Sequence, residues 1–583
     1  MLHTLTRSLR ENKGPALVTV LLSALEVVFE IVIPLFMSNL IDFGIEGGSM
    51  AAVWKFGAFL LLLAAFQLST GVLAARIAAR ASVGFAANLR EDMYDNVQTF
   101  AFSNIDKFST ASIVTRLTTD TTNVQNAFQM LMRMAIRAPV MLIFSMIVSF
   151  RISRDISMTF LVILPILALA LFFIIRSVFP VFSRVFRTYD ELNNVVQENV
   201  RGIRVVKSFN QERHEIGKFG AISERIYKDF SKGERLITLN APLMQFCIYT
   251  CMIVISWLGA KAIIASGNDP ALGLTTGNLT ALITYTMQIL SSLMMLSMVF
   301  AMLTISLSSA RRIAEVLEER SDIPQPEQPV ITVRDGAVDF DHVSFVYASK
   351  ADKKVLDDID LHIRSGETIG IIGGTGASKS SLVQLIPRLY DVTGGKLTLG
   401  GVDVRDYDLD TLRGAVAMVL QKNELFSGTI KENLRWGNEN ATDEELQHAC
   451  VLACADEFIS AMPDGYDTHI EQGGTNVSGG QKQRLCIARA LLKKPKVLIL
   501  DDSTSAVDTR TDAQIQQALS TYIPDTTKII IAQRISSVQN ADRIVVLDDG
   551  RIDAVGCHDE LLRTCEIYRE VYESQQKGGE DDA

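Results

Sequence analysis

The sequence has few cysteines, and their spacing fits no metal site. Only seven of the 583 residues are cysteine. Cys247 and Cys251 are four apart, as are Cys450 and Cys454, and residues with that spacing are neighbours on one face of a helix. We therefore interpret the cysteines as reduced thiols in packed helices, as is usual in a cytosolic or membrane setting.

The C-terminal part of the chain lacks the positive charge that nucleic-acid binding requires. From residue 321 onward there are 27 Lys and Arg against 43 Asp and Glu, a net charge of −16, whereas the preceding part carries +6. A phosphate backbone is bound by a positive field, so a nucleic-acid partner is excluded. The asymmetry indicates an acidic soluble part and a basic part next to a membrane.

The N-terminus lacks an obvious cleavage site after its first apolar run, although Arg7, Arg10 and Lys13 precede that run. This combination predicts a retained membrane anchor rather than a removed signal peptide. The mean hydropathy of +0.22 is high for a soluble chain of this length. Six apolar stretches are long enough to cross a hydrocarbon core, which takes about 20 helical residues. They lie near 16–41, 53–77, 134–154, 157–180, 240–265 and 277–306.

The connections between these stretches predict their orientation. Short connections near 43–52, 151–157 and 266–276 alternate with long charged ones at 78–133 and 181–239. The long connections contain few helix breakers, and we predict that they form continuous amphipathic helix. The basic N-terminal leader and long connections are placed in the cytoplasm by the positive-inside rule. Arg151 and Arg154, in a short outer loop, go against the rule, so the orientation depends on the total charge.

A proline-rich segment, SDIPQPEQP, separates the apolar part from a second domain. Beyond it, β-branched runs such as TIGIIGG, GAVAMVL, KVLILDD, KIIIAQ and RIVVLDDG alternate with helical stretches, a pattern typical of an α/β nucleotide-binding domain. We predict a six-helix transmembrane domain over 1–321 and a linker over 322–330. An α/β P-loop ATPase domain over 331–572 and a disordered tail over 573–583 follow.

A glycine-rich stretch at 373–381 reads GGTGASKSS. It fits the P-loop pattern G-x-x-x-x-G-K-[ST] and departs from it only at Ser378, where the pattern has glycine. The strand-like ETIGII precedes it and the helical run SLVQLIPRLY follows, which is the context a P-loop requires. We expect Lys379 to reach the terminal phosphates and Ser380 to ligate Mg²⁺. The predicted phosphate loop comprises Gly373, Gly374, Thr375, Gly376, Ala377, Ser378, Lys379, Ser380 and Ser381.

Two later segments extend the nucleotide-site prediction. The apolar run KVLILDD ends at Asp501, which we expect to hold Mg²⁺ as a Walker B acid. The segment NVSGGQKQR places two glycines at the start of a helix, whose N-terminus suits a phosphate. The residues of this signature are Val477, Ser478, Gly479, Gly480 and Gln481.

The order GGTGASKSS, Gln421, VSGGQ, VLILDD and SAVD after six spans resembles an ABC transporter of the exporter type over nearly the whole chain. The resemblance implies ATP and Mg²⁺ as cofactors, with Tyr347 stacking on adenine and Gln421 in the Mg²⁺ shell. It further implies that Ser478, Gly479 and Gly480 bind the γ-phosphate of ATP held by a second half-transporter chain. Loop tips near 107–118 and 203–216 would be the coupling helices.

Three residues depart from the family pattern in one site. Asp502 stands where the family usually has a glutamate general base, and Gln533 where it has a histidine. Aspartate is one methylene shorter, and a misplacement of about 1 Å can cost about 10²-fold in rate. Glutamine cannot carry positive charge, and Ser378 adds a Cβ to the phosphate loop. The segment THIEQGG departs from TEVGERG as well, whereas VSGGQ is intact.

The membrane part offers candidate cargo residues. Glu26 and Glu30 share a helix face in the first span, and carboxylates at membrane depth are costly and commonly functional. They predict either a cation or proton-coupled site, or an interhelical hydrogen bond or snorkelling position. Met294 and Met298 suit a promiscuous pocket or plain helix packing. Arg133 and Arg137 are interpreted as headgroup anchors.

These patterns favour one half of a heterodimeric ATP-driven exporter of amphipathic small molecules, drugs or lipids, in a bacterial cytoplasmic membrane. Its own P-loop would bind ATP and hydrolyse it weakly, and its signature would complete the partner's competent site. The alternatives are a non-hydrolytic regulatory subunit or ATP-gated conduit, and a homodimeric transporter of lipids or metal chelates.

Overall fold

The computed structural model describes residues 1–269, 273–347, 354–503 and 506–580. Within these residues, six helices are long and apolar enough to cross a membrane, which confirms the predicted six-span architecture. The chain divides into two compact units. Unit 1 comprises Met1–Gln98 and Thr110–Glu319, and unit 2 comprises Thr99–Ser109 and Arg320–Ala583. The division after Glu319 lies two residues before the predicted end of the transmembrane domain.

Unit 1 is helical in its described residues. Its helices continue far beyond the apolar stretches because the charged connections are themselves helical, as predicted. They are α1 (Leu2–Arg7), α2 (Lys13–Asn39), α3 (Met50–Gln98), α5 (Thr110–Thr115), α6 (Thr121–Ile152), α7 (Arg154–Arg201), α8 (Ile203–Ser208), α9 (Glu212–Thr238), α10 (Asn240–Ser266) and α11 (Thr276–Glu318); α4 (Phe102–Lys107) belongs to unit 2. The predicted outer loop at 151–157 is in fact the single residue Ser153 between α6 and α7.

The loop tips differ in part from the expected coupling helices. The first coupling helix was expected near 107–118. The segment of this loop that belongs to unit 2 is instead 99–109, which contains α4. Asn104 fixes this tip, since its side chain donates to the Arg320 carbonyl oxygen at 3.0 Å and accepts from the Ala101 amide at 3.0 Å. At the second tip, α8 does lie inside the expected range of 203–216.

Unit 2 contains strands β1 to β12 and helices α12 to α20. The strands are β1 (Val338–Phe345), β2 (Leu356–Ile363), β3 (Thr368–Gly373), β4 (Gly394–Leu399), β5 (Val402–Asp403), β6 (Val416–Val419), β7 (Gly428–Thr429), β8 (His469–Ile470), β9 (Val497–Asp501), β10 (Thr527–Ile531), β11 (Arg543–Asp548) and β12 (Arg551–Gly556). The helices are α12 (Lys379–Gln384), α13 (Leu409–Ala415), α14 (Ile430–Arg435), α15 (Asp443–Leu452), α16 (Asp456–Ser460), α17 (Gly479–Leu492), α18 (Thr509–Tyr522), α19 (His558–Thr564) and α20 (Glu566–Glu580).

The central sheet of unit 2 has the order β12-β11-β3-β10-β9-β6, parallel except for β12. Its central strands β9 and β10 are fully buried, so their near-continuous Ile, Leu and Val runs are those of a sheet covered on both faces. Ligands of such sheets bind at the carboxyl ends of the strands. The loops after β3, β9 and β10 leave from that edge side by side.

Two sequence predictions about helices need correction. Helix α12 ends at Gln384, short of the predicted run to Tyr390, in keeping with Pro387, which cannot continue a helix. At the other end, α20 continues to Glu580 where a disordered tail was predicted from residue 573. Gln575 accounts for part of this order, because it accepts from the Ile535 amide at 2.9 Å and donates to the Gln533 carbonyl oxygen at 2.7 Å. Residues 581–583 lie outside the described residues.

A buried hydroxyl on β10 bonds the segments that precede β1 and β3, and we expect its removal to be destabilising. The Thr527 hydroxyl donates to the Gly336 carbonyl oxygen at 2.7 Å and accepts from the Gly366 amide at 3.0 Å. Thr527→Val keeps the shape but leaves these polar groups without that partner, at a cost of about 1–3 kcal/mol. Thermal unfolding of the purified chain should show unit 2 melting several degrees lower. Thr521→Val, at an exposed position of α18, is the matched control, and equal melting of both variants would contradict this account.

Candidate nucleotide site

The phosphate loop connects β3 to α12, and Ser378 is its unusual residue. Ser378 lies immediately before α12 in the left-handed region, at φ 68° and ψ 22°. Glycine adopts that region freely, whereas a residue with a Cβ is strained there. The loop therefore keeps the backbone shape that suits glycine while carrying a serine. This geometry gives the predicted departure from the P-loop pattern a physical cost.

The charged and hydroxyl groups of the loop lie where a phosphate would need them. Lys379 Nζ donates to the carbonyl oxygens of Gly373 at 2.7 Å and Gly374 at 2.8 Å, which holds the ammonium group across the loop. The Ser380 hydroxyl donates to Asp501 Oδ1 at 3.1 Å. The predicted pair of Mg²⁺ ligands from the loop and the end of β9 is thus brought together.

Burial shifts the pKa values of Asp501 and Lys379. The Asp501 side chain is almost fully buried, and this raises its pKa, to which the nearby Asp502 carboxylate adds. Burial likewise lowers the pKa of Lys379. Both charged forms lack solvation, so a divalent cation beside Asp501 and a phosphate beside Lys379 would each be stabilised.

The oxygen ligands here fit Mg²⁺. Mg²⁺ prefers hard oxygen donors and is often held by one or two carboxylates together with substrate phosphates. The Ser380 hydroxyl and the Asp501 carboxylate supply such donors. In the part of the chain that the structure describes, no group of three or more His, Cys, Asp or Glu could hold a metal ion.

Asp502 is held by the amides of two glutamines. Its Oδ2 accepts from Gln533 Nε2 at 2.8 Å and from Gln421 Nε2 at 3.3 Å. Its backbone lies in the left-handed region, at φ 47°. Two of the three departures from the family pattern, Asp502 and Gln533, therefore contact each other directly.

Tyr347 lies at the rim of the same site, half exposed, as a base-stacking residue requires. Its hydroxyl is 2.7 Å from the Ser381 hydroxyl. Its ring meets the ring of Tyr390 edge to face at 5.1 Å between centroids. Tyr390 in turn donates to Asp106 Oδ2 at 2.8 Å and contacts the Phe102 ring edge to face at 6.0 Å.

Tyr390 and Asp106 were not among the residues predicted from the sequence. Both belong to unit 2, so the first loop tip contacts the aromatic residue beside the base-binding position. No motif includes either residue. The only available signal was the tyrosine at the end of the run SLVQLIPRLY, directly after a P-loop.

One cleft of about 710 Å³ collects the predicted nucleotide residues. Its described lining includes Tyr347, the whole loop 373–381, Gln421, both aspartates at the end of β9, and Gln533. The signature residues 477–481 are not among the described residues that line it. The residues predicted to contact phosphate, metal and base therefore line one cleft, and the described lining does not include the signature.

The signature begins α17 through a capping box. Ser478 Oγ accepts from the Gln481 amide at 3.3 Å, and Gln481 Oε1 accepts from the Ser478 amide at 2.9 Å. A Cβ at Gly480 would lie 2.8 Å from the Ala506 carbonyl oxygen, so this position needs glycine. Ser505, in the SAVD motif, lies outside the described residues. The box satisfies the Ser478 and Gln481 amides, and the two glycines between them leave the helix start without bulky side chains, which suits the approach of an anion to the N-terminus.

The membrane residues singled out from the sequence lie in unit 1. Arg137 on α6 forms ion pairs with both predicted carboxylates on α2, through Nη1 to Glu26 Oε1 at 2.7 Å and Nη2 to Glu30 Oε2 at 2.6 Å. The interpretation of Arg137 as a headgroup anchor is therefore wrong. The two carboxylates are one helical turn apart on α2, so a single guanidinium can pair with both, and at these distances the attraction is strong. Met294 and Met298 are exposed side chains on α11.

Comparison with known proteins agrees with this architecture. The family described as "ABC transporter transmembrane region" matches residues 16–294, and the family described as "ABC transporter" matches residues 356–505. An uncharacterized ABC transporter ATP-binding protein of Bacillus subtilis (strain 168), YfiB, is 36% identical, with 96% of each chain covered. An uncharacterized ABC transporter ATP-binding protein of Mycobacterium tuberculosis (strain CDC 1551 / Oshkosh) is 33% identical over 99% of this chain and 98% of its own length.

The fold is likewise that of a solved transporter. A structure of a bacterial Atm1-family ABC exporter with ATP bound matches at a TM-score of 0.82 and 24% identity, covering 97% of this chain and 99% of that one. Together with six membrane-spanning helices and a P-loop ATPase unit, these relatives identify the chain as a multi-pass membrane protein of the ABC transporter family, a half-transporter whose ATPase domain couples ATP hydrolysis to transport.

Proposed function

We propose that this chain is the degenerate-site subunit of a heterodimeric exporter that moves amphipathic small molecules, drugs or lipids, out of the cytoplasm. The observation that carries the proposal is the contact between Asp502 and Gln533 at 2.8 Å. In this position the aspartate is engaged by an amide that cannot carry positive charge. Its own cleft binds ATP and hydrolyses it weakly.

The strained loop supports the same conclusion. Ser378 lies at φ 68°, a backbone conformation that is strained for a residue with a Cβ. The phosphate loop needs this conformation to direct its N–H groups at a phosphate, so the serine makes the binding geometry less favourable. The proposed phosphate and metal residues support ATP binding, because Lys379 Nζ bonds to carbonyl oxygens of the loop and the Ser380 hydroxyl bonds to Asp501. These features favour retained ATP binding with slow hydrolysis rather than loss of both.

The intact signature supports a role toward a second chain. It lies outside the cleft of its own chain, at the capped start of α17. In a pair of such chains, each signature closes over the ATP of the other chain, so this chain completes a competent site on its partner. ATP held between the two ATPase domains draws them together, and the loop tips carry this movement to the membrane helices.

Two alternatives remain as competing proposals. A non-hydrolytic regulatory subunit or ATP-gated conduit would pass ions while a non-hydrolysable nucleotide is bound. A homodimeric transporter of lipids or metal chelates would hydrolyse ATP slowly at two equal sites.

Restoring the family residues should activate the degenerate site. We expect the triple variant Ser378→Gly, Asp502→Glu, Gln533→His to raise ATP turnover about 10- to 100-fold in a pair whose partner carries Gln in place of its own Walker B glutamate. The reason is that the base regains about 1 Å of reach and the loop loses its strain. Steady-state ATPase assays measure the effect, with Thr521→Val as an exposed control. Unchanged turnover would contradict the assignment of these residues.

Substitutions in this chain should also act unequally on the partner's site. Ser478→Ala should lower turnover of the pair about 10²-fold, since it removes the cap and a donor directed at the partner's ATP. Asp502→Asn should leave turnover within about twofold, because little hydrolysis occurs in its own cleft. Thr475→Ala, three residues before Ser478, is the control for local damage. Equal losses from Ser478→Ala and Asp502→Asn would indicate two equivalent sites instead.

A further inference from the structure

The C-terminal helix α20 contacts the loop that carries Gln533. This loop follows β10 and continues into the helical turn Ile535–Ser537. The side-chain amide of Gln575 bonds the loop twice, since its Nε2 donates to the Gln533 carbonyl oxygen at 2.7 Å and its Oε1 accepts from the Ile535 amide at 2.9 Å. These two bonds, the Gln575 clamp, fix the backbone on both sides of Arg534.

The packing of α20 directs Gln575 toward this loop. Tyr568 is fully buried and belongs to the same apolar cluster as Ile535 of the loop. Tyr572 and Gln575 follow Tyr568 by four and seven residues, a spacing that puts all three on one face of a helix. The face that anchors α20 to unit 2 therefore also carries the amide that bonds the loop.

The clamped loop reaches the nucleotide cleft through Gln533. This residue lines the cleft, and its Nε2 donates to Asp502 Oδ2 at 2.8 Å. Four residues further along the loop, the Ser537 hydroxyl donates to Asp512 Oδ2 at 2.6 Å. The clamp acts on the backbone of Gln533 itself, so a shift of that backbone would carry the side-chain amide away from Asp502.

We infer that Gln575 is a positioning residue of the nucleotide cleft, through which α20 holds Gln533 in contact with Asp502. The inference rests on the proposed place of Gln533 in the nucleotide site and deepens it, because it assigns control of this contact to the C-terminal helix. The N–H group of Gln533 offsets part of the negative charge of Asp502, which otherwise repels a nucleotide phosphate. The clamp therefore favours nucleotide binding.

The clamp can open while the fold of unit 2 is kept. Gln575 is exposed, so water competes for both of its hydrogen bonds and each contributes little to the stability of the fold. The buried Tyr568 keeps α20 in place when these bonds break. Truncation of the Gln575 side chain should thus release the loop and leave the unit folded.

Hydrogen exchange of the Ile535 amide in the purified full-length chain, in lipid nanodiscs, reports on the clamp directly. Gln575→Ala removes the acceptor of this amide, and we expect exchange about 10-fold faster, measured by mass spectrometry with fragmentation that resolves the residue. Gln575→Glu keeps the acceptor and should leave the rate within about threefold. Gln576→Ala is the matched control, because Gln576 donates to the Tyr572 hydroxyl at 2.6 Å within α20. Equal exchange rates in Gln575→Ala and Gln576→Ala would overturn the inference.

Binding of AMP-PNP, a non-hydrolysable ATP analogue, with Mg²⁺ to the same preparation tests whether the clamp acts through Gln533. We expect Gln575→Ala and Gln533→Ala each to raise the Kd about 3- to 10-fold, and the double variant to bind no more weakly than Gln533→Ala alone. A merely structural role of Gln575 would weaken binding equally in both backgrounds. Additive losses, or unchanged binding in Gln533→Ala, would therefore overturn the inference.

These measurements separate the clamp from the proposed asymmetry of hydrolysis. The analogue is not hydrolysed and no partner chain is added, so neither result depends on which chain hydrolyses ATP. Additive losses would overturn the clamp and leave the proposed weak hydrolysis standing. Rapid ATP hydrolysis by this chain would contradict the proposed function, whereas non-additive binding losses would still support the clamp.

Discussion

The parallel pairing of β10 between β3 and β9 is the constraint on which the nucleotide site depends. The register joins Ile531 to Ile371 on one side and to Asp501 on the other, so three successive loops leave the sheet at one edge. The phosphate loop, the two aspartates and Gln533 come from distant parts of the sequence and meet only because of this pairing. The Asp502–Gln533 contact is a direct consequence, and the hydrolytic weakness proposed for this chain follows from it.

Much of this site follows from the sequence because a motif fixes both residue type and backbone. Lys379, Ser380 and Asp501 were predicted together, and the structure places them in one cleft. The sequence also shows that Ser378 adds a Cβ at a glycine position of the loop, and the structure places this residue at positive φ, where the Cβ causes strain. The contact of Asp502 with two glutamines was not foreseen, because it depends on side-chain rotamers across three loops. Tyr390 escaped for the same reason: its partners Tyr347 and Asp106 are remote in sequence.

In the membrane unit, hydropathy predicted the spans but not the pairing of charges. Length and apolar composition suffice to identify six spanning helices. The residue that pairs with the Glu26 charge is determined by the rotation and depth of α6 relative to α2. A single sequence contains no pattern that gives either of these. Arg137 was therefore assigned to the surface although it lies between two carboxylates. Removing one partner from such a buried ion-pair group would leave a charge without compensation, which is costly in a membrane.

The account requires that one chain bind ATP and the other hydrolyse it. The most direct test is ATP turnover by this chain purified alone, compared with turnover after a candidate partner chain is added and with a sample in which the partner's Walker B glutamate is replaced. The account predicts little turnover alone, strong turnover in the pair, and its loss with the partner's glutamate. Robust turnover by this chain alone would show that Asp502 is a working base and would contradict the central claim.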